Sequence, residues 1–165
     1  MNKLKFISLL ILVPLLSPGQ RPVKSVYGEL GGPGIFLSAN YDTRLANSNK
    51  GLGVRAGVGT IFDQYSLGFT LPVGLNYLLG KEKNFLELGV GASYIHFIAK
   101  NQDGWFNFKK ENFVATYGWI GYRYQPPKNG FTFRAGLCPF FNDINFPNIA
   151  GSFMYAGLSF GYSFQ

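Results

Sequence analysis

The most constraining feature of the chain is a strict alternation of apolar residues with small or polar ones between residues 66 and 79. Seven large apolar side chains share one parity there: Leu67, Phe69, Leu71, Val73, Leu75, Tyr77 and Leu79. Successive side chains of a β-strand point to opposite faces, so this pattern predicts a long strand with one apolar face. Pro72 interrupts the strand and has no backbone N–H, which predicts a local bulge or a lost ladder bond there.

The same period of two recurs along most of the chain after residue 20. It predicts four further strands, over residues 51–61, 85–98, 131–138 and 154–164. Residues 114–124 also have the composition of a strand, but the pattern does not decide which of its faces is apolar. No amphipathic helical pattern is visible between these segments, so the sequence predicts an all-β fold.

The strand count depends on how residues 26–45 are divided. If they form two strands that meet at the glycine–proline turn of residues 31–34, the chain has eight strands. Short connections (47–49, 80–83, 126–130) then alternate with the longer loops 100–111 and 141–150. Single-chain outer-membrane barrels have an even number of strands, short periplasmic turns and longer outer loops. A seven-strand division would put the long loops on the periplasmic side, so we predict an eight-stranded antiparallel up-and-down transmembrane β-barrel.

The first nineteen residues have the layout of a secretory signal peptide. Lys3 and Lys5 precede an apolar run over residues 6–16, and small residues follow at Ser17 and Gly19. The run is too short for a membrane-spanning helix, which needs roughly 20 apolar residues. We therefore expect a signal peptide at residues 1–19 and one barrel domain at residues 20–165.

Composition supports a membrane barrel rather than a soluble one. Charged residues make up 14% of the chain, whereas soluble domains carry about 25%. The apolar strand faces would leave a soluble protein with a large exposed apolar surface, but lipid would cover them. Aromatic residues near predicted strand ends form the expected interfacial girdle: Tyr41, Tyr77, Tyr94, Trp119, Tyr122, Tyr124 and Tyr162.

The basic net charge does not indicate nucleic acid as a partner. The formal charge is +7 at pH 7, or +5 without Lys3 and Lys5. The basic residues lie mostly at predicted turns and loops, without a basic block or a recognition helix. Contact with anionic lipid headgroups accounts for them more simply, and we expect no nucleic acid partner.

Three segments carry a resemblance to a known class of proteins: residues 27–34 (YGELGGPG), 71–80 (LPVGLNYLLG) and 121–127 (GYRYQPP). Through them the chain resembles the small outer-membrane β-barrel proteins of Bacteroidota, and more distantly the eight-stranded barrels of the OmpA, OmpX and OmpW type. The resemblance implies location in the cell outer membrane and no defined activity. The expected partners are outer-membrane lipid and lipopolysaccharide, and the expected state is a monomer.

The sequence does not support an enzyme. His96 is the single histidine, and Ser93, three residues before it, falls on the opposite strand face. A barrel that hydrolyses lipid needs a serine within reach of its histidine, so we expect His96 to face lipid near Tyr94. One histidine and the lone Cys138 make a poor metal-ligand set, and we expect neither a metal nor a cofactor.

The inward-facing parity brings four charged residues together: Glu29, Arg55, Glu87 and Arg134. They would form a charge network in the lumen, either as a polar conduit or ligand site or as a structural filling. The interior of an eight-stranded barrel is just wide enough for side chains, which favours the structural interpretation. Inward glycines would make room for these side chains and for an inward Phe36: Gly53, Gly57, Gly59, Gly89 and Gly91.

The loop over residues 100–111 is a candidate surface-binding loop. It combines aromatic residues with lysines: Trp105, Phe106, Phe108, Lys100, Lys109 and Lys110. Such a set could bind an anionic glycolipid or a partner protein, or the aromatics could simply extend the hairpin above the membrane.

Taken together, the sequence predicts a barrel with a structural or surface-interaction role. Two other hypotheses stay open. One is a transporter that passes small apolar molecules through the barrel wall, and the other is a soluble secreted barrel that binds a ligand.

Overall fold

A computed structural model describes residues 21–63, 66–100, 108–141 and 154–165. The strands, in chain order, are β1 (Lys24–Gly31), β2 (Leu37–Arg44), β3 (Gly51–Asp63), β4 (Ser66–Lys81), β5 (Asn84–Lys100), β6 (Phe108–Tyr124), β7 (Gly130–Pro139) and β8 (Met154–Phe164). Each strand pairs antiparallel with its neighbour, and β8 pairs with β1, so the eight strands close into a barrel. The predicted fold, including the division of residues 26–45 into two strands, is confirmed.

The barrel has an inner end, where β1 begins, and an outer end, where β1 meets β2. Short connections join β2 to β3, β4 to β5 and β6 to β7 at the inner end. Within the described ranges, no helix is long and apolar enough to cross a membrane.

The facing of β4 follows the alternation of its sequence. The large apolar residues from Leu67 to Leu79 point outward and are exposed, whereas Thr70 and Asn76 point inward and are buried. Around the barrel, the exposed outward residues are mainly leucine, valine and aromatic residues. The outward face is therefore apolar, whereas the lumen holds buried polar and charged side chains together with a set of buried apolar and aromatic ones.

Two prolines interrupt the ladders without changing the register. Around Pro72, the pairs Ala56–Val73 and Gly59–Thr70 flank two missing pairs between β3 and β4. No residue is inserted, so Pro72 causes a lost ladder bond and not a bulge, because a proline cannot donate an N–H. Pro139 lies in a similar gap between β6 and β7, beyond which the pairing resumes at Tyr117 and Phe140.

The connection between β1 and β2 folds into the barrel instead of extending beyond it. Its short 3-10 turn, Gly32–Gly34, and the following Ile35 are buried. Gly31 and Gly32 have φ angles of 72° and 62°, values that glycine adopts at little cost. Ile35 takes the inward position, so Phe36 projects outward with 54% of its surface exposed. The expectation of an inward Phe36 is therefore wrong.

The structure also corrects the predicted aromatic girdle. Tyr41, Tyr77, Tyr94, Tyr122 and Tyr162 are outward and exposed, as expected. Trp119 points into the lumen and is only 4% exposed. Its strand, β6, was the one whose facing the sequence left undecided; its inward side carries Ala115, Tyr117, Trp119 and Arg123.

Candidate functional site in the barrel lumen

The four predicted lumen charges lie together and form two direct ion pairs. In the first pair, the Arg55 guanidinium donates to Glu29 at 2.7 Å. In the second, Arg134 donates twice to Glu87, with both distances 2.8 Å. The pairs are linked, because an Arg134 nitrogen also lies 3.6 Å from the Glu29 carboxylate. The two hydrogen bonds between Arg134 and Glu87 fix the orientation of both side chains.

Three further charged residues, which the sequence analysis did not predict, belong to the same group: Asp42, Arg44 and Arg123. Arg44 lies 2.6 Å from Asp42, and Arg123 lies 3.0 Å from the same carboxylate. Arg123 also lies 3.5 Å from Glu87, which joins this part to the predicted residues. All seven charged residues are almost fully excluded from solvent.

The seven residues form one alternating sequence of positive and negative groups, which we call the ion-pair chain. Its order through space is Arg44, Asp42, Arg123, Glu87, Arg134, Glu29 and Arg55. Each carboxylate lies between two arginines, so three acids hold four bases and an arginine stands at both ends. Buried charges are tolerated when they are paired, and each charged group here lies beside at least one of opposite sign. Several guanidinium nitrogens, Arg44 Nε and Arg55 Nη1 among them, have no hydrogen-bond acceptor among the described residues.

Polar side chains add hydrogen bonds to the ion-pair chain. At its inner part, Asn76 donates to Asp42 and accepts a hydrogen bond from Arg44. At its other part, Arg55 donates to Asn40 at 2.9 Å and Ser159 donates to Glu29 at 3.0 Å. These contacts satisfy donors and acceptors that the ion pairs alone leave open.

Aromatic rings cover the outer part of the chain. The Arg134 guanidinium stacks over the rings of Tyr27 and Trp119, with distances of 4.5 and 5.0 Å from its carbon to the ring centroids. Arginine stacks well on aromatic faces, so these rings stabilise the cation where no carboxylate covers it.

The Arg44 guanidinium packs closely against Gly53 on the neighbouring strand. A Cβ added at Gly53 would overlap the Arg44 guanidinium. Gly53 therefore makes the room for Arg44 that the sequence predicted for inward glycines in general.

An apolar cluster fills the lumen on the outer side of the ion-pair chain. Its members come from the β1–β2 connection and from β3, β5, β6 and β7, with Phe140 just beyond β7: Ile35, Ile61, Ile95, Ala115, Tyr117, Trp119, Cys138 and Phe140. The Gly32–Gly34 turn lies between the two layers, and a Cβ added at Gly32 would lie 3.2 Å from the Glu29 carboxyl carbon.

Hydrogen bonds hold this turn inside the barrel. Ser93 donates to the Pro33 carbonyl at 2.7 Å, and Thr70 donates to the Gly34 carbonyl at 3.1 Å. The turn and the apolar cluster together form a plug at the outer end of the lumen.

The residues considered for catalysis lie apart. Ser93 points inward to the turn, whereas His96 lies on the outward face, 5.2 Å from the Phe69 ring and hydrogen-bonded to Asn112. Cys138 is a buried free cysteine in the apolar cluster. In the described part of the chain, no three residues of the metal-ligating types are grouped.

Several predictions concern residues that the structure does not describe. Residues 1–19, the predicted signal peptide, lie outside the described residues, as do Trp105 and Phe106. Phe108, Lys109 and Lys110 begin β6, where their backbone pairs with the end of β5, but their side chains lie outside the described residues. The surface-binding loop therefore stays a prediction.

The outward face carries a shallow groove over β1, β2, β3 and β8. It has a volume of about 760 Å³ and is lined mainly by outward residues that include Val26, Ala39, Val58 and Phe160. Behind this wall the lumen is occupied by the buried side chains of Tyr27, Asn40 and Arg55.

Comparison with known proteins supports the architecture. No protein-family model and no curated protein sequence match the chain. Its structure is similar to the crystal structure of the N-terminal β-barrel domain of Pseudomonas aeruginosa OprF. The two share a TM-score of 0.64 and 15% sequence identity, over 88% of this chain and 99% of the OprF domain. The chain thus shares the fold of the OprF β-barrel domain, and its own closed barrel has the eight strands that the resemblance to OmpA-type barrels predicted.

Proposed function

We propose that the chain is an integral outer-membrane barrel that acts as a structural or surface-interacting element and not as an open pore or an enzyme. The observation that carries this proposal is the division of side chains between the two faces of the wall. Outward leucine, valine and aromatic residues are exposed on every strand whose side chains are described, and Leu67 and Val90 each have 59% of their surface exposed.

Membrane lipid is the solvent that suits this outward face. In water, an apolar surface of this extent would promote aggregation or association. In lipid, the exposed side chains are covered, and closure of the barrel pairs the strand backbones that would otherwise face hydrocarbon. The proposal therefore accounts for the apolar exterior and the closed ladder together.

The lumen supports a closed rather than a conducting barrel. The ion-pair chain occupies its inner part, and the apolar cluster with the Gly32–Gly34 turn occupies its outer part. Side chains that fill the narrow interior of an eight-stranded barrel leave no continuous path for water and ions beside them.

Membrane insertion can be tested by fractionation and heat-modifiability. After expression with the full sequence in a Gram-negative host, we expect the protein in the outer-membrane fraction, resistant to carbonate washing. Unboiled samples should migrate differently from boiled ones in gels, because a closed barrel resists detergent. Release by carbonate, with no change of migration on boiling, would contradict the proposal and favour a soluble secreted barrel.

Lateral transport of small apolar molecules receives support from the outward groove alone. Such a route would need an internal cavity that reaches the wall, and Tyr27, Asn40 and Arg55 fill the lumen behind the groove. We therefore rank this function below the structural or surface-interacting role.

A further inference from the structure

The inner end of the barrel has a strong excess of positive charge. Its strand ends and turns carry six basic side chains: Arg21, Lys24, Lys50, Lys81, Lys83 and Lys128. Among residues 21–24, 45–50, 81–84 and 125–130, the one acidic side chain is that of Glu82. We call this end, with its three turns, the inner rim.

The three turns of the inner rim are tied into one platform. The Asn49 side chain donates to the Glu82 carbonyl at 2.8 Å. The Gln125 side chain donates to the Asn49 carbonyl at 3.1 Å, and the Gln125 N–H donates to the Lys83 carbonyl at 2.8 Å. The lysines on these turns therefore extend from positions that are fixed relative to one another.

An open depression of about 510 Å³ lies on this platform. Lys50, Lys81 and Lys83 are among its lining residues, together with the acidic Glu82. The three lysines are exposed, and in the part of the chain that the structure describes none of them forms an ion pair. Their charges are thus available to an outside ligand.

Outward tyrosines place the inner rim at the level of lipid headgroups. Tyr77 lies four residues before Lys81 on β4 and is exposed, and the exposed Tyr122 donates to the Asn84 side chain beside the same turn. Tyrosine is enriched where hydrocarbon meets headgroups. Lysine stems can lie along the adjacent apolar surface while their ammonium groups reach the phosphates.

We propose that the inner rim binds the phosphate groups of anionic phospholipids in the membrane leaflet that it faces. This inference rests on the proposed insertion of the barrel in a membrane. A basic cluster near an anionic surface gains about fivefold in association for each lysine, and salt weakens the attraction. Phospholipid fits better than an acidic protein because the cations are spread over three turns at headgroup level.

The experiment compares phosphatidylglycerol with phosphatidylcholine around the reconstituted barrel. Spin-labelled forms of the two lipids report the fraction of each that is immobilised by the protein. The variant K50Q/K81Q/K83Q removes three charges from the inner rim. The matched variant K100Q/K109Q/K110Q removes three charges at the opposite end, where those residues terminate β5 and begin β6.

We expect the unmodified barrel to prefer phosphatidylglycerol at low salt and to lose the preference in about 0.5 M salt. At about fivefold per lysine, the inner-rim variant should lose up to roughly a hundredfold of the preference, whereas the matched variant should keep most of it. Equal losses in the two variants would overturn the inference, because they would indicate net charge and not the inner rim.

Inorganic phosphate and heat-modifiability provide two controls. Inorganic phosphate at matched ionic strength should leave the lipid preference unchanged; its loss would show that the rim takes free phosphate and would overturn the lipid assignment. Heat-modifiability of every reconstituted sample is measured first. A barrel that inserts but shows no lipid preference overturns this inference alone, whereas a barrel that does not insert overturns the proposed function.

Discussion

The two halves of the lumen are both filled by side chains, but one half is filled by charged groups and the other by apolar groups. The inner half is filled by the ion-pair chain, in which each carboxylate contacts two arginines. The outer half is filled by the apolar cluster and the Gly32–Gly34 turn. Both halves lie inside the same wall, so the difference comes from the inward residues alone.

The comparison teaches how each half should respond to change. Ion pairs in a buried site are directional and reciprocal, and loss of one partner leaves an uncompensated charge. Apolar contacts are non-directional, so the loss of a methyl group removes only the contacts of that group and leaves a small cavity. We therefore expect a substitution in the inner half to lower the free energy of unfolding strongly, and a conservative substitution in the outer half to lower it only slightly.

The largest effect is expected for Glu87→Ala. Glu87 is the middle member of the ion-pair chain, and its removal leaves two fragments, each with two arginines and one carboxylate. We expect a loss of about 3–5 kcal/mol in the free energy of unfolding, measured by urea titration in detergent micelles. Glu87→Gln, which keeps the shape of the side chain, should cost less. A Glu87→Ala barrel of unchanged stability would contradict the reciprocal pairing.

A charge on the outward face should be nearly as costly, although arginines are accommodated inside. Val73→Arg puts a guanidinium on the apolar exterior of β4, and we expect a cost of about 2–4 kcal/mol near the bilayer midplane. The matched change Leu79→Arg, on the same face near the inner end of the strand, should cost at most about 1 kcal/mol. Folding titrations into lipid vesicles measure both values. Equal costs would contradict the assignment of the exterior to lipid.

The apolar half should respond weakly to a conservative change. Ile95 is fully buried in the apolar cluster, and Ile95→Val removes one methyl group. We expect a loss of about 0.5–1.5 kcal/mol in the free energy of unfolding. If Ile95→Val were as destabilising as Glu87→Ala, the contrast between the two halves would be lost.

The smallest effect on stability is expected outside both halves, in the candidate surface-binding loop. The triple variant Trp105→Ser, Phe106→Ser and Phe108→Ser should leave the barrel closed and heat-modifiable while weakening any surface binding. Gel migration with and without boiling provides the test. Loss of heat-modifiability would show that these aromatics belong to the fold and would remove the support for a binding loop.

The sequence predicted the strands and their outward faces better than the residues that fill the lumen. Alternation decides strand facing wherever large apolar residues share one parity, as in β4, and there the prediction agreed with the structure. It left the facing of β6 undecided, and the separate prediction that Trp119 belongs to the interfacial girdle was wrong. Tyr117 and Trp119 face inward there, and the small residues Thr116 and Gly118 hold neighbouring outward positions. Parity alone does not identify the lipid face of a strand with large side chains on both sides.

The ion-pair chain was predicted only in part for a related reason. Asp42 and Arg44 share the inward parity of Ser38 and Asn40, and this run of polar residues was a signal that could have found them. Arg123 lies on β6, whose facing was undecided. The inward course of the Gly32–Gly34 turn had no signal in the strand pattern, because it depends on positive φ angles and on hydrogen bonds from strands distant in sequence.

The most direct test of the filled lumen is the conductance of the purified barrel in planar lipid bilayers. The ion-pair chain and the apolar plug should together prevent a continuous column of water, so we expect no steady, porin-like conductance from the unmodified protein. Large, stable open channels in that protein would contradict the filled lumen and would make a pore the leading function.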